Sequence, residues 1–272
     1  MDRVAESRSG TGSTGLLSRA LRTAAPHAWF LEDEVAGLAA LVGPGAVCLD
    51  VGAEYGLYTW TLAGLAGRSG HVHAVEPQPG PSAFVDTVRR LLRARTVTVH
   101  RTALGAAAGG GVLSLPRRRL LPVHGRAFLT TGASGLGSNA EFDHHEDVPV
   151  AVTTLDDLVS DLGLSRLDLV KADIEGAEAL LLAGAHATLA TLRPILMLEL
   201  EDRHLARFGA SVAEIVAGLG TAGYTARTWD AERGWVSRRP DDDRRNVLFV
   251  PEGPAGEDTP TRGGATHGLH RT

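Results

Sequence analysis

Apolar and polar positions fall into short blocks along the chain. Residues 47–51, Val-Cys-Leu-Asp-Val, form an apolar run that contains one acid and is closed by Gly52. A Val/Leu-rich run of that length, ending at glycine, reads as a buried strand. Leu57, Trp60, Leu62, Ala63 and Leu65 then recur at helical spacing. The same alternation continues with strands over residues 71–76, 96–100, 148–153, 167–172 and 195–200. Helices are predicted between them, over residues 82–93, 154–162, from the turn at 173–178 to about 192, and 211–219. On the first of these, Phe84, Val85, Val88, Leu91 and Leu92 make the inner face. Strands joined by helical connections predict a parallel sheet with right-handed crossovers. Residues 224–229 and 246–250 read as late strands that pair antiparallel and close the sheet. An amphipathic helix is expected over residues 27–42, ended by Gly43-Pro-Gly45.

The pattern weakens over residues 105–147. Three glycines lead into a short strand at 112–115. A basic run follows, Arg117-Arg-Arg119, then a Gly/Ser segment and Asp143-His-His-Glu146. A stretch this long without periodicity predicts a β-hairpin and a mobile flap over the site. Residues 1–20 and 251–272, rich in Ser, Gly, Thr and Pro, read as a disordered leader and tail. Residues 21–250 are then one domain.

Composition narrows the function. The net charge of −5 argues against a broad nucleic-acid surface. The first residues lack a signal-peptide core and no apolar run approaches the ~20 residues of a membrane helix. A cytoplasmic protein without a membrane partner is expected. Cys48, the one cysteine, lies inside an apolar run and reads as core filler. Lys171 is the one lysine among 27 basic residues, which marks it as a place where arginine does not fit.

The turn after the first strand carries the candidate chemistry. It has neither G-x-G-x-x-G nor the phosphate-loop lysine motif. Asp50 and Glu54 would repel a pyrophosphate but attract a cation. S-Adenosylmethionine (SAM), with a sulfonium, an ammonium and no phosphate, suits such a turn. Glu76 ends the second strand, where an acid can accept hydrogen bonds from ribose hydroxyls. The competing readings are a turn cap for Asp50 and a surface acid for Glu76. Asp173 ends the fourth core strand, where open α/β sheets bind their ligands. Lys171 lies on the same side of that strand by the period of two. Glu175 and Glu178 read as first-turn helix acids.

Five segments together resemble the FkbM-type SAM-dependent methyltransferases. They are Asp50-Val-Gly-Ala-x-x-Gly-x-Tyr-Thr59, Val72-His-Ala-Val-Glu-Pro77, Thr154-Leu-Asp-Asp157, Lys171-x-Asp-Ile-Glu-Gly-Ala-Glu178 and Pro194-Ile-Leu-Met-Leu-Glu199. The resemblance implies a Rossmann-like class I methyltransferase fold: a seven-stranded, mostly parallel sheet with one antiparallel strand and helices on both faces. It also implies O-methylation of sugar or natural-product hydroxyls, hence secondary metabolism. Glu54 departs from the family, which usually has Asn there. The residues expected around SAM are Asp50, Gly52, Ala53, Glu54, Tyr55, Gly56, Tyr58, Glu76, Pro77, Thr102, Ala103 and Asp173.

Methyl transfer to a hydroxyl needs alignment and a proton acceptor. Asp173, Glu199 and His204 are the candidate bases, with His144 and His145 in the flap behind them. Asp173 and Glu199 could alternatively hold Mg²⁺ through oxygen; no other metal ligand is expected. The expected partners are a small hydroxylated acceptor and a second copy of the chain, without nucleic acid. A nucleic-acid methyltransferase and a non-enzymatic SAM-binding module are the alternatives. The turn disfavours a nicotinamide oxidoreductase.

Overall fold

The computed structural model describes residues 12–25, 32–119 and 121–253. The tail beyond 253, the first eleven residues and the start of the helix expected at 27–42 lie outside them. The described part of that helix is a 3-10 segment, Asp33–Ala40. The leader is shorter than expected: Ser13–Ala24 is a helix, α1. It packs on α2, Leu57–Ala66, whose seven buried residues leave little polar surface. Ser18 donates to the Thr61 carbonyl at 2.9 Å. A Cβ at Gly64 would lie 2.1 Å from that of Ser18, so the contact depends on glycine there.

Three strands open the domain in parallel: β1 Val47–Val51, β2 His71–Val75 and β3 Val97–His100. Helix α3, Pro79–Leu91, joins the last two and starts with proline, where a missing N–H costs nothing. Its inward stripe is Pro81 and Val85, buried, with Val88 and Leu92 half-buried, while Phe84 and Leu91 are exposed. Both stripes have helical spacing; the sheet selects the one that faces it.

The chain then builds a second sheet from β4 Ala103–Leu104, β5 Gly109–Arg118, β6 Leu121–Pro122, β7 Phe128–Leu129 and β8 His144–Thr153. The expected hairpin is the antiparallel pair β5–β8, in register from Gly109 opposite Val152 to Arg117 opposite His144. Ala103, Leu113, Leu129 and Val152 form its own small core.

Thr154 caps α4, Leu155–Asp161, by accepting from Asp157 N at 2.9 Å. The chain returns to the main sheet as β9, Leu169–Ala172, beside β1. The helix expected to run from the turn at 173–178 to about 192 is two, α5 Glu178–Ala183 and α6 His186–Thr191, separated at Gly184. A Cβ at Gly184 would meet the Gly105 carbonyl at 2.2 Å. Strand β10, Ile195–Glu199, and helices α7, Asp202–Leu205, and α8, Val212–Thr221, follow. The last strands are β11 Tyr224–Asp230, β12 Gly234–Ser237 and β13 Asn246–Pro251.

The main sheet runs β12-β11-β13-β10-β9-β1-β2-β3. Seven of these strands have the class I methyltransferase arrangement, with β13 antiparallel to both neighbours. The eighth corrects the expected count: β12 pairs antiparallel with β11, because Gly234 turns the chain back on itself. Two buried clusters cover the two faces, one centred on Val170 and Leu198, the other on Cys48 and Met197. Cys48 is buried as expected, and burial pushes its thiol up to about 12. Strand order reverses between β1 and β9, which opens a crevice at their carboxyl ends. Among the described residues no helix is long and apolar enough to cross a membrane.

Candidate functional site

Two clefts meet at that crevice. The first is walled by the ends of β1, β2 and β9 together with the inserted sheet. Glu76, Pro77, Thr102 and Ala103 line it, and so do Gln78, His124, Phe128 and Leu129. The second lies over the turn into α2 and is lined by Glu32, Asp50, Ala53, Tyr55, Tyr58 and Lys171. Gly52, Glu54 and Asp173 line both.

The turn between them is built by glycine. Gly52 has φ 78°, and a Cβ there would lie 2.0 Å from the Asp173 carbonyl oxygen. Its smallness thus lets the end of β9 close against β1, besides leaving room for a ligand. Gly56, φ 88°, enters α2 and lines neither cleft; a Cβ there would strike the Trp60 indole. Glu54, φ 44°, occupies the left-handed region without being glycine.

Glu76 is fixed by the backbone. Its carboxylate accepts from Glu54 N at 2.9 Å and from Gln78 N at 2.8 Å. A carboxylate has about four lone-pair positions, so two remain for a ligand's hydroxyls. Burial raises its pKa to about 7 against the lowering effect of those two bonds. Asp50 is also buried and accepts from the Thr59 hydroxyl at 2.5 Å. Desolvation raises it to about 6, opposed by Thr59 and Lys171. Thr102 spends its hydroxyl on the Ala103 and Ala151 carbonyls, so it offers the cleft shape more than a donor.

Lys171 is the centre of the second cleft. Its Nζ donates to Asn246 Oδ1 at 3.0 Å and lies 4.8 Å from the Tyr58 ring centre. Burial opposes its charge, but Asp173, Glu32, Glu199 and Glu34 outweigh burial and raise its pKa. Tyr58, assigned to the cofactor from sequence, gives its hydroxyl to Glu32 instead. Carboxylate oxygens of Glu32, Asp173 and Glu199 lie within 4.8 Å of one another. The buried ammonium beside them already supplies a positive charge. Glu199 is raised to about 9, first by burial and then by the charge of Asp173 and a hydrogen bond to it.

The structure separates the three candidate bases. Asp173 lines both clefts and Glu199 adjoins it, but His204 lines neither. His204 is buried behind Glu175, Nδ1 to Oε2 3.0 Å. The peptide after Glu175 leaves no room between them: a Cβ at Gly176 would lie 2.4 Å from the His204 carbonyl. His145, one of the flap histidines, is 3.0 Å from the Ser114 hydroxyl in the inserted sheet. Glu178 is not a solvated helix acid. It is wholly buried, accepts from Ile174 N at 3.0 Å, and burial raises it to about 8.

Residues 50–226 match the model of the methyltransferase FkbM domain. No curated protein matches the chain. Among solved structures, it is similar to an FkbM methyltransferase from Methylobacillus flagellatus KT, with TM-score 0.48 and 17% identity. That match covers 75% of this chain and 43% of that one, so the chain spans under half of that protein's length. It is also similar to precorrin-6y C5,15-methyltransferase from Geobacter metallireducens GS-15, with TM-score 0.42, 15% identity and coverages of 80% and 85%. A third is fibrillarin from Aeropyrum pernix with natively bound S-adenosyl-L-methionine, with TM-score 0.41, 12% identity and coverages of 77% and 67%.

Proposed function

The chain belongs to the FkbM methyltransferase family, and from that premise we propose that it methylates a hydroxyl of a small molecule with SAM as donor. The observation that carries this reading is the pair of clefts joined at Gly52, Glu54 and Asp173. An adenosyl group in the first cleft would meet Glu76 and the backbone at Pro77. Its sulfonium and ammonium would then reach the acids at the junction, where Asp50, Glu54 and Asp173 favour positive charge. SAM supplies a methyl group already activated by its sulfonium.

The protein's own part is alignment and proton removal. Tyr55, Tyr58 and Lys171 would shape the acceptor side. Asp173, at the junction, is placed to take the hydroxyl proton as oxygen attacks carbon. Glu199 stands beside it, within 4.8 Å, and is itself held by Arg245 at 2.9 Å. A general base at such a position contributes ~10²–10⁴-fold. A second reading has one observation behind it: Glu32, Asp173 and Glu199 could hold Mg²⁺ through their clustered oxygens. A negative net charge favours a small acceptor over nucleic acid.

The test is calorimetric titration with S-adenosylhomocysteine and SAM, followed by transfer of labelled methyl to panels of hydroxylated compounds and to RNA. Absence of binding to either ligand would end the proposal. Methylation of RNA alone would replace the acceptor, and loss of turnover on EDTA treatment, restored by Mg²⁺, would favour the metal reading.

A further inference from the structure

We infer that His124, which is carried by the inserted segment and not by the nucleotide-binding core, is a direct hydrogen-bond acceptor for the adenosyl group. This inference rests on the SAM reading given above. His124 begins a 3-10 turn, His124–Arg126, between β6 and β7, and lines the first cleft together with Glu76 and Ala103.

Its hydrogen-bond partners define its chemistry. Gln78 Nε2 donates to the His124 carbonyl at 3.2 Å. That bond fixes the amide's orientation, so Gln78 Oε1 is the atom that faces the imidazole, 2.7 Å from Nδ1. An amide oxygen only accepts. Nδ1 must therefore carry the hydrogen, and Nε2 is left as an acceptor in the neutral ring. Burial lowers the pKa of this histidine, which keeps the ring in that form at neutral pH. The ring is held on its other sides as well. Tyr55 meets it edge-on at 5.9 Å, and Phe84 braces Tyr55 at 5.4 Å. These two exposed aromatics, unexplained by packing of the core, thus serve the imidazole.

Several side chains around the cleft present acceptors: Glu76 and Glu54 are carboxylates, and Thr102 directs its hydroxyl hydrogen to backbone carbonyls. Such a lining favours an occupant that brings its own N–H and O–H groups. The adenosyl group has three such groups: two ribose hydroxyls and the 6-amino group. Glu76 has two free lone-pair positions, and His124, which lines the same cleft, would add Nε2 as a third acceptor. Gln78 is a positioning residue in this scheme, since it selects the tautomer and touches the ligand only through His124.

The experiment measures binding of S-adenosylhomocysteine to the wild-type chain, His124→Ala and His124→Gln, with melting curves to confirm folding. Loss of one hydrogen bond predicts about three- to tenfold weaker binding for His124→Ala. His124→Gln keeps an acceptor and should recover most of that loss. Adenosine, inosine, 2′-deoxyadenosine and 3′-deoxyadenosine, as competitors, locate the donor. If His124→Ala weakens adenosine but not inosine, the 6-amino group is the partner; if it spares a deoxyadenosine, that hydroxyl is. Equal losses for all four competitors, or unchanged affinity in His124→Ala, overturn the inference and leave the SAM reading standing. A wild-type chain that binds no S-adenosylhomocysteine overturns both.

Discussion

Asp173 and Glu199 end neighbouring parallel strands with carboxylate oxygens within 4.8 Å of each other, but only Glu199 is paired with Arg245, Oε1 to Nη1 2.9 Å. The two acids therefore have different roles although both are strand-end carboxyls. Asp173→Asn removes the proton acceptor and should lower kcat by ~10²–10⁴-fold with a smaller change in SAM affinity. Glu199→Gln keeps an oxygen to accept from Arg245 and puts an amide N–H in place of a carboxylate oxygen near Asp173, and should lose less than about tenfold. Steady-state kinetics on both variants decide the matter. An Asp173→Asn enzyme with wild-type kcat would remove Asp173 from catalysis.

Buried acids make stability depend on pH. Glu76, Glu178 and Glu199 have folded values of about 7, 8 and 9, all raised by burial above the ordinary 4.5. A carboxyl raised on folding contributes stability that is complete below its unfolded value and is lost as pH rises through its folded value. His73 has the opposite sign: burial lowers it to about 4 from 6.5, so its effect is finished by neutral pH. Between pH 7 and 9 the protein without ligand should lose at least about 2–4 °C in Tm, the shift produced by ~1 kcal/mol in a domain of this size. Saturating SAM should flatten the slope, because a bound cation favours ionised acids. A flat or rising Tm across that window without SAM would contradict this electrostatic account.

Much of this site can be read from the sequence, for a physical reason. Asp50, Glu76 and Asp173 each follow an apolar run of period-two strand, and strand ends in a doubly wound sheet converge on one crevice. Other residues could not be found that way. His124, Phe128 and Leu129 reach the cleft only because the segment between β5 and β8 folds back over it. That segment has weak periodicity, so nothing in its sequence states which wall it forms. Its basic side chains are taken up locally: Arg117 bridges to Glu146 across the hairpin, and Arg118 lies 5.5 Å from the Phe142 ring centre. His204 was misplaced because distance from a strand end says nothing of direction; α7 turns it inward against Glu175. The extra strand β12 was hidden in a charged stretch that reads as loop.

Lys171 shows what one rare residue type can reveal. The chain uses arginine at the other basic positions, yet here an ammonium is 1% exposed between Asn246 and the Tyr58 ring. A guanidinium is larger and planar. Lys171→Arg should therefore overpack this space and cost about 1–3 kcal/mol. Lys171→Met keeps the volume but leaves Asp173, Glu32 and Glu199 without their buried counter-charge, which should cost about 3–5 kcal/mol. Urea denaturation at pH 7 compares them; equal stability of all three proteins would show that the ammonium is not needed by the acids.

Glu54 combines two costs that Asn would avoid. Its backbone lies at φ 44°, where Asn is tolerated better than Glu. Its carboxyl is raised by burial, then by Asp173 and Glu175, so in the empty cleft it is held against like charge. Glu54→Asn keeps the backbone N–H that Glu76 accepts and should raise Tm by about 2–4 °C. The compensation for the native acid is then expected in ligand binding. SAM and S-adenosylhomocysteine differ by one methyl group and one positive charge. A unit charge pair 4 Å apart gains ~1 kcal/mol even in water. Glu54→Asn should thus weaken SAM about fivefold more than S-adenosylhomocysteine. Calorimetry with both ligands measures the ratio, and equal losses would place the Glu54 carboxylate away from the sulfonium.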